Sequence, residues 1–380
     1  MKRLAFVVTL ALPLTAVLGG CGDDATQNNT TGSLQVTAAT DGETLDPDGY
    51  TVRVDGTTTE AVDINGSVTF SGLEAGSHSV ELDGMAKNCS VDGENPQADD
   101  VTAGQTTQVS FDVGCTFALF DHLTFSTTRD GNDEIYVMEP DGSNPTRLTN
   151  NAVVDWGGTW SPDGTQIAFV SRRDGDDEIW VMGADGSNPI NLTNDASGDR
   201  RPKWSPDGTR IAFERDSDVY VMDADGSNQI GLTDNAEFDG YPAWSPDATG
   251  IVFASQRDGD WEVYVMNADG SNPTKLTDNT DWDYAPAWSP DGTRIAFVSY
   301  RDGNWEIYVM DADGSNQSNL TNNGTADQWP DWSPDGTQIA FVSHRDGNWE
   351  IYVMDADGSN PTRLTNNAAS DYVPAWSPTR

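Results

Sequence analysis

The chain has 380 residues, enough for two or three domains. It carries 62 Asp and Glu against 20 Lys and Arg, a net charge of −42. Such a charge repels phosphate backbones and anionic lipid headgroups, so no nucleic-acid partner is expected. At 36% apolar residues with 13 Trp, the composition is that of a folded chain and not a disordered one.

Lys2 and Arg3 precede an apolar run over residues 4–17, too short to span a bilayer as a helix. Leu18-Gly19-Gly20-Cys21 follows and resembles a bacterial lipobox. That resemblance implies a lipoprotein signal peptide over 1–20, cleavage before Cys21, and acylation of Cys21. Several acyl chains anchor a protein stably to a lipid bilayer where one does not. Residues 21–31 then read as the lipidated Cys and a flexible tether. The expected location is the bacterial cell envelope, facing the periplasm or the exterior.

Residues 32–115 alternate apolar and polar in short runs: Leu34, Val36 and Ala38; Tyr50, Val52 and Val54; Val80 and Leu82; Val109, Phe111 and Val113. Period two, broken by Asp-Gly and Gly turns, predicts antiparallel strands and a small β-sandwich. Val52-Arg53-Val54-Asp55-Gly56 and the stretch over 72–82 resemble PEGA-type and carboxypeptidase-regulatory-type surface modules. This resemblance implies a spacer or adhesion role. Cys115 shares parity with the inward residues of its run, and Cys89 with Val91, which predicts a Cys89–Cys115 disulfide in an exported domain. Closing that loop contributes roughly 3 kcal/mol through the unfolded state.

Residues 117–380 repeat one unit. Trp-Ser-Pro recurs at Trp160, Trp204, Trp244, Trp288, Trp332 and Trp376, with spacings of 44, 40, 44, 44 and 44. Asp-Gly-Ser-Asn recurs in step at Asp141, Asp185, Asp225, Asp269, Asp313 and Asp357. Between these turns lie runs such as residues 295–298 and 307–310, apolar on both faces. Such strands must be covered on both sides, as in a radial stack of four-stranded sheets. The repeat (Ser-Pro-Asp-Gly, Ile-Ala-Phe, Arg-Asp-Gly, Glu-Ile-Tyr-Val-Met, Asp-Gly) resembles the TolB-type, WD-like propeller repeat. The resemblance implies an all-β chain with a six-bladed propeller over 117–380. The first copy lacks its Trp-Ser-Pro strand and the last ends on one, so the Trp376 strand is expected to complete the first blade. TolB proteins proper carry a small α/β domain before the propeller where this chain has a sandwich, which leaves a role in the Tol–Pal system open.

In such a blade the Ser-Pro-Asp-Gly and Asp-Gly-Ser-Asn turns share one face, and the Arg-Asp-Gly turns share the other with the loops between blades. Asp-x-Asp-Gly-Ser-Asn invites a calcium reading, but its Gly stands fourth and no Glu follows at the twelfth place, so a turn role is favoured. An aspartate recurs where each blade begins (Asp155, Asp199, Asp239, Asp283, Asp327, Asp371). An arginine recurs on the same face (Arg129, Arg173, Arg215, Arg257, Arg301, Arg345). Six Arg–Asp pairs fastening the loops is the favoured reading. The sharper one leaves carboxylates free, with Asp283, Asp327 and Asp371 holding a cation such as calcium in the channel.

Residues that differ between copies speak more directly to function. Behind the repeated aspartates stand Trp156, Arg200, Arg201, Tyr241, Tyr284, Trp329 and Tyr372, and the Arg-Asp-Gly turns add Trp261, Trp305 and Trp349. Aromatic residues on a polar rim suit a binding surface, with packing between blades as the competing role for the turn Trp residues. The chain holds three His, with no His cluster and no Gly-x-Ser-x-Gly. The expected function is a non-catalytic, lipid-anchored envelope binding or scaffold protein, acting as a monomer on an envelope protein or glycan. The alternative is a calcium-dependent, lactonase-like propeller hydrolase.

Overall fold

A computed structural model of the chain describes residues 30–379. The signal segment and Cys21 lie outside the described residues. No helix among the described residues is long and apolar enough to cross a membrane.

Eight strands make up the first domain: β1 (Thr31–Gly42), β2 (Tyr50–Val54), β3 (Thr58–Val62), β4 (Ser67–Glu74), β5 (Gly76–Asp83), β6 (Cys89–Val91), β7 (Gln97–Val101) and β8 (Thr106–Cys115). They form two sheets, ordered β4-β1-β8-β6 and β3-β2-β5-β7. The alternating residues of both sheets, among them Leu34, Val36, Val52, Leu82 and Phe111, meet in one buried cluster. β1 runs parallel to β8, so the domain is not a simple meander. Cys89 stands opposite Cys115 in the β6–β8 register, and the two form a disulfide.

Six further four-stranded sheets follow, each an antiparallel blade. In blade 2 the strands are Asp155–Trp160, Gln166–Ser171, Glu178–Gly183 and Ile190–Asn191, counted outward from the channel. Blade 1 takes its innermost strand, Asp371–Trp376, from the end of the chain, in register with Leu123–Thr127. The fold is the all-β propeller that the repeat implies. Both faces of each blade are apolar because each sheet packs against two neighbours. Phe341 and Met354 of blade 6, for example, meet Val298 and Ile307 of blade 5 in one cluster.

The sandwich joins the propeller on the side of the Ser-Pro-Asp-Gly turns. The connection over 116–121 is packed down: Phe117 and Leu119 lie against Trp160, Ile167 and Met182, and Leu119 donates its N–H to the Gly164 carbonyl at 3.1 Å. In later blades the glycine equivalent to Gly164 faces a proline of the preceding blade, as Gly208 faces Pro162. The connecting segment therefore occupies a place that a neighbouring turn fills elsewhere. Lys87 reaches from the sandwich to the Thr379 carbonyl at 3.1 Å. The sandwich thus sits on one face of the propeller, and the Arg-Asp-Gly turns point the other way.

Candidate ligand-binding face

The face that carries the sandwich is built the same way six times. In each Asp-Gly-Ser-Asn turn the Asp accepts the N–H of the Ser two residues on, at 2.9 Å in all six copies. The Asn takes a left-handed conformation, φ 49 to 56°, as Asn does in tight turns. The Gly has φ near 85°, and a Cβ on it would meet the Leu carbonyl oxygen of the preceding blade, at 2.6 Å for Gly314 and Leu276. The repeated turn is a clasp between blades. Its aspartates are held below the usual carboxylate range by hydrogen bonds from Ser, as at Asp313. At Asp291 in a Ser-Pro-Asp-Gly turn, the bonds from Ser289 and Thr293 bring the value down to about 2.

On the opposite face the six repeated aspartates are fully buried, each paired with the arginine of its own blade. The distances are 2.8 Å for Asp155–Arg173, 2.7 Å for Asp283–Arg301, 3.2 Å for Asp327–Arg345 and 3.1 Å for Asp371–Arg129. Each guanidinium lies over the aromatic rings of its second and third strands, as Arg301 does over Phe297 and Tyr308. The expectation of free carboxylates at Asp283, Asp327 and Asp371 is therefore corrected. Burial pushes the Asp283 carboxyl up, against the pull of Ser299 and Arg301. Among the described residues no cluster of three His, Cys, Asp or Glu has metal-binding geometry.

Past each aspartate the innermost strand bulges. The second residue after it has positive φ in every blade: Gly157, Arg201, Tyr241, Ala285, Trp329 and Val373. Left-handed geometry is uncommon for non-Gly residues and rarer for Val. The bulge turns these side chains into the channel, where Arg201, Tyr241 and Trp329 meet from three different blades. Arg201 lies 3.9 Å from the Tyr241 ring centre and 5.9 Å from that of Trp329, and it pairs with the buried Glu214. One step deeper, Lys203 of blade 3 reaches across to Asp331 of blade 6 at 3.4 Å. Asp331 also accepts the Trp376 N–H at 2.9 Å. What remains inside is a cavity of ≈ 70 Å³. Ligand pockets run to roughly 300–1,000 Å³, so the channel has room for a few waters and none for a sugar ring.

Comparison with known proteins follows the propeller. The model of the TolB beta propeller domain matches residues 119–218, 201–284 and 276–380, more than half of the chain. The chain belongs to this family. Over 47 residues it is 43% identical to the Tol-Pal system protein TolB of Desulfosudis oleivorans, a match covering 12% of this chain and 11% of that relative's length. The crystal structure of TolB from Acinetobacter baumannii superposes with TM-score 0.60 at 20% identity, covering 68% of this chain and 67% of the other. Hydrazine synthase from Kuenenia stuttgartiensis gives TM-score 0.57 at 16% identity over 68% of this chain and 46% of that one. At these identities the two structures share the fold.

Within this TolB-type propeller the blade-specific residues fall into two groups. Blades 4 to 6 carry the aromatic group. Tyr241 packs edge-on against Tyr284 at 5.2 Å and against Trp261 at 5.7 Å, and Trp305 meets Tyr284 at 5.0 Å. Trp261, Trp305 and Trp349 are half-buried, their backbone carbonyls accept the N–H of the next blade's aspartate, and the rings of Trp305 and Trp349 pack against apolar clusters that two blades share. Burial pushes the hydroxyls of Tyr241 and Tyr284 up. Blades 1 to 3 carry the charged group, around a groove of ≈ 340 Å³ that Trp156, Tyr372, Arg172, Arg200 and Asp177 line. Burial opposes ionisation of Asp177, but bonds from Arg172 and Arg200 outweigh it and hold its carboxyl below the usual range.

Sequence reading passed over two residues on this face. Trp282, just before Asp283, is 50% exposed, and Tyr300, just before Arg301, is 40% exposed. Aligning the copies at those two positions, one step outside the columns used above, was the signal that would have found them.

Proposed function

We propose that this chain is a non-catalytic, lipid-anchored cell-envelope protein that holds a protein or glycan ligand on the propeller face opposite the sandwich. One observation carries the reading: the sandwich face presents the same turns six times, whereas the far face gathers the residues that differ between blades. A specific ligand without six-fold symmetry needs such differences. A tether attached before the sandwich leaves that far face directed away from the anchor. The short match to a Tol-Pal system protein supports an envelope setting. The hydrolase alternative relies on aspartates that are committed to arginines, and no observation favours it.

The test is capture from solubilised envelopes by the full chain, with two variants of verified melting temperature. Trp329→Ala with Tyr284→Ala should abolish capture, and Asp269→Asn with Asp313→Asn should leave it intact. The reverse pattern would place the ligand on the sandwich side.

A further inference from the structure

Trp282 and Tyr300 stand at two positions that every full-length blade brings together in the same way. The residue before the arginine donates its N–H to the carbonyl of the residue before the aspartate. This bond is 3.3 Å for Arg172 and Val154, 2.8 Å for Gln256 and Phe238, 3.0 Å for His344 and Ala326, and 3.2 Å for Thr128 and Ser370. In blade 5 it joins Tyr300 to Trp282 at 3.0 Å. The backbone thus tolerates Val, Arg, Gln, Ala or His here, and the fold requires no aromatic at either place. Only blade 5 has two, and both are left in water. Two large exposed rings on an otherwise acidic, polar surface are a solubility liability unless something covers them.

Their surroundings define what would. Trp305 forms the floor, 4.8 Å from Tyr300 and 6.0 Å from Trp282 between ring centres. With Thr280 and Asp281 the three rings line a groove of ≈ 460 Å³, within the range of small-ligand pockets. Five lining residues fall far short of the 20–30 per side of a stable protein interface. The Asp281 carboxylate makes no ion pair among the described residues, and the Asp281 backbone N–H bonds Asn279 at 2.9 Å, which holds the chain there and leaves the carboxylate at the groove's edge as a hydrogen-bond acceptor. Arg301, next to Tyr300 in the chain, is spent on Asp283 and Gln317. The groove therefore offers ring faces, a hydroxyl and a carboxylate, and nothing that attracts an anion.

We propose that the Trp282–Tyr300–Trp305 groove of blade 5 binds a pyranose oligosaccharide that carries no negative charge. A pyranose with equatorial hydroxyls presents flat C–H faces that stack on aromatic rings, and its rim hydroxyls donate to a carboxylate such as Asp281. The proposal deepens the binding reading above and rests on it.

The test titrates the full chain, in detergent, with β-1,4-linked tetramers of glucose and of N-acetylglucosamine, followed by Trp fluorescence and calorimetry. At least one tetramer should saturate the chain. Trp282→Ala and Tyr300→Ala should each weaken it tenfold or more at unchanged melting temperature, Trp282→Phe should retain most of the affinity, and a galacturonic acid tetramer should not bind. Failure of both neutral tetramers to saturate, wild-type affinity in Trp282→Ala, or preference for the acidic tetramer would overturn the proposal. If both neutral tetramers fail while envelope protein is still captured through Trp329 and Tyr284, the sugar assignment falls and the binding reading stands. If nothing is captured either, both fall.

Discussion

The two faces of the propeller are made from the same six repeats and solve opposite problems. On the sandwich face each Asp-Gly-Ser-Asn turn is tied internally by the same 2.9 Å bond from Ser to Asp, and its Gly lies against a Leu carbonyl of the blade before it. On the far face the shared residues, the Asp–Arg pairs, are buried, and what reaches the channel mouth and the rim differs from blade to blade. Repetition therefore marks the parts that hold the ring together, and departure from it marks the parts free to recognise something. The backbone allows both because the inner-strand bulge fixes where a side chain goes and leaves its identity open.

The largest effect is expected where the repeat itself is incomplete. Removing residues 370–380 deletes the innermost strand of blade 1 and exposes the edge of Leu123–Thr127. It also removes Trp376, which is half-buried against the cluster that blades 6 and 1 share, and the lost strand and ring together should cost about 3–5 kcal/mol, the scale of a large core truncation. Urea unfolding should show at least that loss, with aggregation. An unchanged midpoint would mean that the ring does not depend on this closure.

A smaller effect sharpens the contrast between faces with one kind of substitution. Gly314 on the sandwich side and Gly303 on the far side have nearly the same φ, 86° and 89°. A Cβ on Gly314 meets a carbonyl oxygen at 2.6 Å, and one on Gly303 meets nothing within 4 Å. Both Ala variants carry the strain of positive φ, of order 1 kcal/mol, but only Gly314→Ala adds the clash. It should be the less stable of the two by roughly 1–2 kcal/mol in urea melts. Equal losses would deny the clasp.

The smallest effect is electrostatic and separates two aspartates, one on each face, by sign. Asp291, held at about 2 by Ser289 and Thr293, is depressed in the folded chain, so its stabilising contribution is present above the unfolded value and fades as pH falls through about 2. Asp283 is raised by burial, so its contribution is present below the unfolded value and fades as pH rises through the folded one. Carboxyl NMR titrations should find the two midpoints on opposite sides of the ordinary Asp value. The stability gap between Asp291→Asn and the parent chain should close in acid. Midpoints on the same side would remove the distinction.

The propeller was legible because every blade restates its pattern: apolar runs, Gly turns and Trp-Ser-Pro at fixed spacing leave few other folds. Strand alternation in the first domain and the shared parity of Cys89 and Cys115 were legible for the same reason, since period two reports which face is buried. The site was harder to read. Sequence placed Trp156, Tyr241, Tyr284 and Trp329 on the face of the Arg-Asp-Gly turns, where they lie, but gave no sign that a bulge sends alternate ones into the channel, where Arg201 and Lys203 fill the space. It left the aspartates open as a cation site because burial and pairing with Arg301, Arg345 and Arg129 are three-dimensional facts. It passed over Trp282 and Tyr300 because they flank the repeated residues and are unlike their counterparts, which only matters once the shared backbone bond is known.

Photocrosslinking in cells tests most directly the claim that recognition belongs to the asymmetric face. A photoreactive amino acid is placed at position 300 on that face or at position 316 in an Asp-Gly-Ser-Asn turn, in otherwise unaltered full-length chain. The account predicts adducts with an envelope component from position 300 and none from position 316. Adducts from position 316 with none from position 300 would contradict it.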